Sequence, residues 1–423
     1  MDYVRRTVDA ELDVLVVGLP AVSLAGAKGV GKTATAERRA RSVLRLDSGG
    51  TRANAEADPA MILTQPPPLL IDEWHLVPPV WDVVRRAVDD DRTPGRFLLT
   101  GSALPPADAR IHSGAGRIVK LVMRPMTLPE RHVSQPTVSL AALLGGGAPP
   151  VGGACPLGLA DYAREIVASG LPGVRQDPDS LRQRTLMAYV DELLERDIPE
   201  LGTRVRRPAA LRAWLTAYAA ASATTTSYTR ILDAATPGEA DKPAATTATA
   251  YRALLERTWV LDPVPAWIPV FNPLKRLARA PKHHLVDPAI AAVLLGASIQ
   301  SLLRADHETG NLREGTLLGA LFESLAALTL RVFAQPLGAR VSHLRTRNGD
   351  HKIDFIVERP DHRILAVEAK LTSAPTPADA LHLTWLGNAV GDQLIDRVLL
   401  TTSPRAYRTR DGVAVVPLGL LGP

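Results

Sequence analysis

The octapeptide GAKGVGKT, Gly26 to Thr33, comes after the apolar run LDVLVVGLPAVSLA and precedes the helix-forming stretch ATAERRARSVL. A strand-like run, a glycine-rich loop ending in Lys-Thr and a helix are the signature of a phosphate-binding loop. That signature commits the N-terminal third to a parallel α/β sheet with its ligand at the C-terminal ends of the strands. Gly26, Gly29 and Gly31, with Ala27, Lys28 and Val30 between them, let backbone amides approach phosphate, and the helix starting near Lys32 turns its positive end toward it. In such loops the lysine, here Lys32, contacts the β and γ phosphates, and the next hydroxyl, Thr33, is offered to Mg²⁺.

The segments after the loop narrow a general nucleotide site toward an ATPase. LRLD ends at Asp47, and PPPLLIDEWH reads as a buried strand ending in two acids. About forty residues past a phosphate-binding loop, Asp72 takes the place of the Mg²⁺-holding acid on the strand next to the loop, and Glu73 that of the group polarising the attacking water. RFLLTGSA is a further buried strand, with Thr100 and Ser102 where a γ-phosphate sensor belongs. Beyond it, Arg110 or Arg117 is a candidate arginine finger toward the nucleotide of a neighbouring subunit, which implies a homo-oligomer.

Size and charge bound the rest. The chain has 423 residues, enough for about three domains, and 46% hydrophobic content marks it as globular. No uninterrupted apolar run reaches membrane-helix length and the Met1 start lacks signal-peptide order, so a soluble, cytoplasmic protein without a membrane partner is expected. The single cysteine, Cys155, excludes an internal disulfide framework and a cysteine-based zinc site. A net charge of +5 permits a nucleic-acid partner without demanding one. Only eight of the 49 basic residues are lysine, so lysines carry more information than arginines here, and two sit at motif positions, Lys32 and Lys370.

From Thr127 the sequence becomes rich in glycine and proline, LLGGGAPPVGGACPLG, which predicts a flexible insertion. A long amphipathic helix is expected in RQRTLMAYVDELLERDIPEL, with Tyr189, Leu193, Leu194 and Ile198 on one face and Asp191, Glu192, Glu195 and Asp197 on a solvated one. Between Leu211 and Pro265 three short helices and then strand-like pieces describe a winged helix, against the plainer reading of a scaffold joining two domains. Lys275, Arg276, Arg279, Lys282, His283 and His284 form the densest basic run, suited to salt-sensitive phosphate attraction.

The C-terminal part carries a second constellation. GALFESLAALTLRVF is a helix containing Glu323, and IDFIVERPDHRILAVEAK reads as a hairpin around RPDHR. Glu368 and Lys370 are two apart and share a face. Asp354, thirteen residues and then Glu-x-Lys resemble the PD-(D/E)xK nuclease pattern, in which two acids bind Mg²⁺ and the lysine orients water, and an upstream helical Glu also belongs to that pattern. The expected metal ligands are Asp354 and Glu368.

Taken in order, GVGKT, LLIDEWH, FLLTGSA, GAGR, LVMRPMTLPE, YVDELLERDIPEL, PKHHLVDPAI and FES…IDFIV…VEAKLT resemble the bacterial and archaeal AAA+ ATPases that carry a DUF4143 C-terminal region. The resemblance spans nearly the whole chain, with the loop start Gly26-Ala27-Lys28 departing from the usual Gly-Pro-Arg. It implies an α/β fold with a P-loop NTPase parallel sheet at residues 1–126, a helical and winged-helix-like connector at 127–295, and a restriction-endonuclease-like α/β domain at 296–423. Two functions are compatible: an ATP- and Mg²⁺-dependent enzyme acting on or near double-stranded DNA, or an ATP-dependent switch that holds a protein partner with the nuclease-like part inert.

Overall fold

The computed structural model describes residues 3–104, 112–200, 207–236, 245–267, 280–308, 317–346 and 350–423. The apolar run ahead of the loop divides in two rather than forming one strand. Helix α1, Thr7–Gly18, is closed at its start by Asp9, whose carboxylate accepts from the Arg6 backbone N–H at 2.6 Å. Val8 and Leu12, four apart, face the core while Val14 and Val17 face outward. Pro20 disfavours helical backbone at Leu19, and the chain extends into β1, Ala21–Ala25.

Every strand of the first sheet is parallel. Helix α2, Lys32–Glu37, leads to β2, Ser42–Arg45; α3, Gly49–Ala57, to β3, Leu69–Asp72; and α4, Pro79–Asp90, to β4, Phe97–Gly101, with β5 at Val119–Val122. The spatial order is β2-β3-β4-β1-β5. This corrects one sequence expectation: the strand ending in Asp72 is not the neighbour of the loop strand, because β4 lies between them. Burial on both faces explains why β1, β3 and β4 read as continuous apolar runs.

The glycine-rich stretch is also more tightly held than its composition suggests. It contains little regular structure after α5, Leu140–Gly145, yet the Thr137 hydroxyl donates to Gly152 O at 2.7 Å and the Cys155 N–H to Pro404 O at 2.9 Å. Strand β6, Val138–Ser139, pairs with residues 421–422 at the opposite end of the sequence. Helices α6, Leu159–Val167, and α7, Pro172–Gln176, lead into α8, Asp179–Glu192, which continues through a π-helical turn at Leu193–Asp197. Val190, Leu193, Leu194 and Ile198 are all buried along this stretch.

Helices Pro208–Ala220, Tyr228–Ala235 and Ala245–Arg257 precede antiparallel bridges joining Leu261 to Leu285 and Val264 to Lys282. Lys275, Arg276 and Arg279 lie outside the described residues, as does Arg110. The end of the proposed basic run is not a surface patch: Lys282, His283 and His284 are buried. Burial and neighbouring cations hold His284 well below the usual imidazole range, which makes it a neutral core group.

The second sheet is mixed, ordered β11-β12-β10-β9-β8-β7. Its strands are β7, Arg340–Arg345; β8, Lys352–Glu358; β9, Ile364–Ala369; β10, Leu394–Thr401; β11, Tyr407–Arg408; and β12, Ala414–Pro417. Strands β7, β8 and β9 form an antiparallel meander, while the helix Leu381–Val390 makes the crossover that sets β10 parallel to β9. The segment Leu317–Leu337 is long and apolar enough to cross a membrane by length and composition, but 67% of its apolar 18-residue stretch is buried within the fold. Its helix, Leu317–Ala334, packs on β7, β8 and β9 and also touches α1, α5 and α6. One continuous apolar core therefore runs from the first sheet through the middle helices to the second.

Candidate functional site

The loop between β1 and α2 is built for close approach. Gly26 has φ +151°, and a Cβ there would lie 2.1 Å from Met123 O, so only glycine fits. Gly31, at φ +100°, turns the chain into α2. The Lys32 ammonium, almost fully buried, donates to Gly26 O and Ala27 O, both at 2.9 Å, and so curls over the loop it belongs to. Burial lowers its pKa to about 8 against the attraction of Glu73 and Asp72.

Asp72 and Glu73 diverge at the end of β3. The Thr33 hydroxyl donates to Asp72 Oδ1 at 2.8 Å, and Thr100 donates to the same oxygen. Burial raises the Asp72 carboxyl above its ordinary range, opposed by these two hydroxyls. A hydroxyl and a carboxylate oxygen held together at the mouth of a phosphate loop are hard donors, so Thr33 and Asp72 fit Mg²⁺. Glu73 has φ +53°, a left-handed conformation that turns its carboxylate back toward β4. There Glu73 Oε2 accepts from the Ser102 N–H at 3.0 Å and the Ser102 hydroxyl at 2.9 Å, with His75 Nδ1 3.2 Å away. Thr100 and Ser102 thus stand beside the two acids, one each. A cleft of about 420 Å³ opens here, lined by Lys28, Glu73, His75, Ser102, Arg196 and Asp197 among others.

Four side chains to which the sequence pattern assigns no site role support this loop or the Glu73 carboxylate. Arg6 Nη1 donates to Val30 O at 2.9 Å, the Tyr189 hydroxyl donates to Lys28 O at 3.2 Å, and the Lys28 ammonium pairs with Asp197 at 2.8 Å. His75 is the fourth, beside Glu73. Asp197, expected from sequence on a solvated face, is therefore a loop partner. The π-helical turn that aims it has no periodic signature. Arg117, in contrast, precedes β5 at the end of the sheet opposite the loop and pairs with Asp89 at 2.6 Å. The nucleotide site of its own chain is out of its reach.

The C-terminal constellation does converge. The β8–β9 register pairs Phe355 with Val367, which sets Asp354 opposite Glu368, and Lys370 Nζ lies 3.7 Å from Glu368 Oε2. Glu323 approaches from the helix Leu317–Ala334. Glu323, Asp354, Lys352 and Lys370 all line a cavity of about 580 Å³. Between Glu323 and Asp354 sits Lys282, its ammonium 2.8 Å from Glu323 Oε1 and 2.9 Å from Asp354 Oδ1. Burial alone would raise the Asp354 carboxyl, but Lys282 and Lys370 hold it well below the usual range, whereas burial and Asp354 push Glu368 well above it. Among the described residues, no group of three or more His, Cys, Asp or Glu is disposed to hold a metal ion. No sequence signal ties Lys282 to this cluster: by sequence it reads only as part of the basic run.

Three known families cover most of the chain. Residues 19–132 match the family described as AAA domain, residues 159–301 DUF8612, and residues 318–421 DUF4143, the last two being domains of unknown function. Over 421 residues the chain is 29% identical to the uncharacterized proteins Rv2008c of Mycobacterium tuberculosis and Mb2031c of Mycobacterium bovis, covering 98% of this chain and 83% of either relative. The Walker-type ATPase PABY2304 of Pyrococcus abyssi is similar over 68% of this chain and 94% of its own, with 13% identity and a TM-score of 0.37. The chain therefore carries a P-loop domain of the AAA type in its N-terminal third and a DUF4143 domain at its C-terminal end.

Proposed function

We propose that this chain binds ATP with Mg²⁺ and hydrolyses it. The observation that carries the reading is the 2.8 Å contact between Thr33 and Asp72 at the mouth of the loop, with Glu73 next in sequence. In this reading Thr33 and Asp72 would hold Mg²⁺, which would neutralise charge on the phosphate oxygens. Lys32 leaves Gly26 O and Ala27 O for the β and γ phosphates, and the backbone from Gly26 to Thr33 cradles them. Glu73, held by Ser102, takes the proton of the attacking water. ATP turnover tests this: Lys32→Ala should abolish it, and an unchanged rate in the purified variant would remove the nucleotide reading.

The division of labour we propose has three units, residues 1–126, 127–295 and 296–423. A chain of contacts supports the view that ATP drives a switch between them. Arg6 bridges Val30 O and Arg124 O, and the Arg124 side chain pairs with Asp262, which pairs with Arg331 on the helix that carries Glu323. That favours the second of the two functions read from sequence, an ATP-dependent switch holding a protein partner. Action on double-stranded DNA, through a winged-helix-like middle and a nuclease-like end, keeps Lys275, Arg276 and Arg279 as its basic residues. Turnover with and without duplex DNA separates the two, since stimulation by DNA selects the enzyme acting on DNA. A finger role for Arg117 requires a second copy of the chain, and turnover per chain rising with protein concentration would support that homo-oligomer.

A further inference from the structure

The cluster formed by Glu323, Asp354, Glu368 and Lys370 has the residue types of a divalent-cation site, yet a positive charge already stands where such an ion would neutralise it. Lys282 is only 8% exposed. Its backbone is fixed from both directions, N–H to Val264 O and O from Val264 N–H, each at 2.9 Å. The ammonium is thus delivered on an anchored stem and shared between Glu323 and Asp354. The second oxygen of Asp354 accepts from the Ala369 N–H at 3.1 Å, so both of its oxygens are engaged. A divalent ion bound to the same carboxylates would sit within about 3 to 4 Å of the ammonium, where like charges in a buried setting repel strongly.

We propose that Lys282 is the resident cation of this site, closing Glu323 and Asp354 to Mg²⁺ and Mn²⁺ and pinning residues 280–285 of the middle unit to the C-terminal sheet. Glu323, Asp354 and Glu368 are the hard oxygen donors that such a cation takes, but with Lys282 in place they are not disposed to hold one. No cleavage step is assigned to the constellation on this reading. None of these residues belongs to the phosphate-loop site.

Mn²⁺ titration monitored by electron paramagnetic resonance tests it, using the nucleotide-free full-length chain with Asp72→Asn so that the loop site contributes nothing. In that background the chain should show no Mn²⁺ binding that Asp354→Asn removes, up to millimolar metal. Adding Lys282→Met should create such a site, with affinity raised about tenfold or more by the loss of one adjacent like charge. If Lys282→Met does not fold, Lys282→Met with Glu323→Gln removes one charge of each sign, keeps Asp354 and Glu368, and should bind likewise. Binding with Lys282 intact that Asp354→Asn abolishes overturns the proposal whatever the variants do. So does a folded Lys282→Met chain that binds nothing.

Discussion

Arg124 Nε donates to Asp262 Oδ2 at 2.7 Å, and Arg331 Nη1 lies 3.0 Å from Oδ1 of the same carboxylate. Burial alone would raise the Asp262 pKa, but the two guanidiniums outweigh it and pull it to about 2. One carboxylate thus joins the end of the first sheet to the helix beneath the second. Removing one member of this partly buried ion network leaves the others uncompensated, at a cost of up to about 3 to 5 kcal/mol. Asp262→Ala should therefore lower stability by that order in chemical denaturation. A loss under about 1 kcal/mol would mean that the network behaves as a solvated surface cluster.

Lys32 makes nucleotide binding dependent on pH. With its pKa lowered to about 8, the empty site loses the ammonium at mildly alkaline pH, while bound phosphates require the charged form. Binding must then take up a proton above pH 8, and affinity should fall by up to about tenfold per pH unit. Dissociation constants for a fluorescent ATP analogue between neutral pH and pH 9.5, at constant ionic strength, would reveal this. A flat profile contradicts the buried, shifted lysine.

Glu73 should be separable from binding. Glu73→Gln keeps the shape and the contact to Ser102 but cannot accept a proton, so turnover should drop by about 10²-fold or more with nucleotide affinity little changed. Ser102→Ala leaves the backbone donor in place and should cost less. If the two variants lose equal turnover, Glu73 acts as a structural partner of Ser102.

The contact between Lys28 and Asp197 is half exposed, so its loss should change stability by less than about 1 kcal/mol. Its consequence should appear in ligand affinity. Asp197→Ala releases an ammonium beside the phosphate loop, and ATP should bind a few-fold more tightly. Weaker binding in this variant would mean that Asp197 positions the loop more than it sequesters charge.

Much of this arrangement is legible in the sequence where chemistry constrains spelling locally. Gly26 to Thr33, Asp72 and Glu73 stand out because a phosphate loop and its acidic strand tolerate few residue types at fixed places. The β8–β9 hairpin stands out because Glu368 and Lys370 obey the two-residue period. The insertion of β4 between β1 and β3 does not, since strand order is set by crossovers that leave no residue pattern. Lys282 is hidden for a related reason. Beside Arg276 and Arg279 it reads as one more basic residue, and only the pairing of residues 264 and 282 turns it inward toward Glu323 and Asp354, 41 and 72 positions away.

Glu323 offers a pH test of that buried cluster. Burial first, and then repulsion from Asp354, push its pKa up to about 7 despite the nearby Lys282 ammonium. A carboxyl whose folded pKa lies above its unfolded value of about 4.3 binds more proton when folded, so its contribution to stability falls as pH rises between the two. The opposite shift of Asp354 acts only in the more acidic range below its ordinary pKa and leaves this window clear. Glu368 is raised too, but it is present in both chains compared. The stability of the wild-type chain minus that of Glu323→Gln should therefore decline from about pH 4.5 to 7 and level off above. Melting temperatures across that range give the difference directly. A difference that rises with pH would mean that Glu323 is ionised throughout, held by Lys282 as an ordinary buried salt bridge.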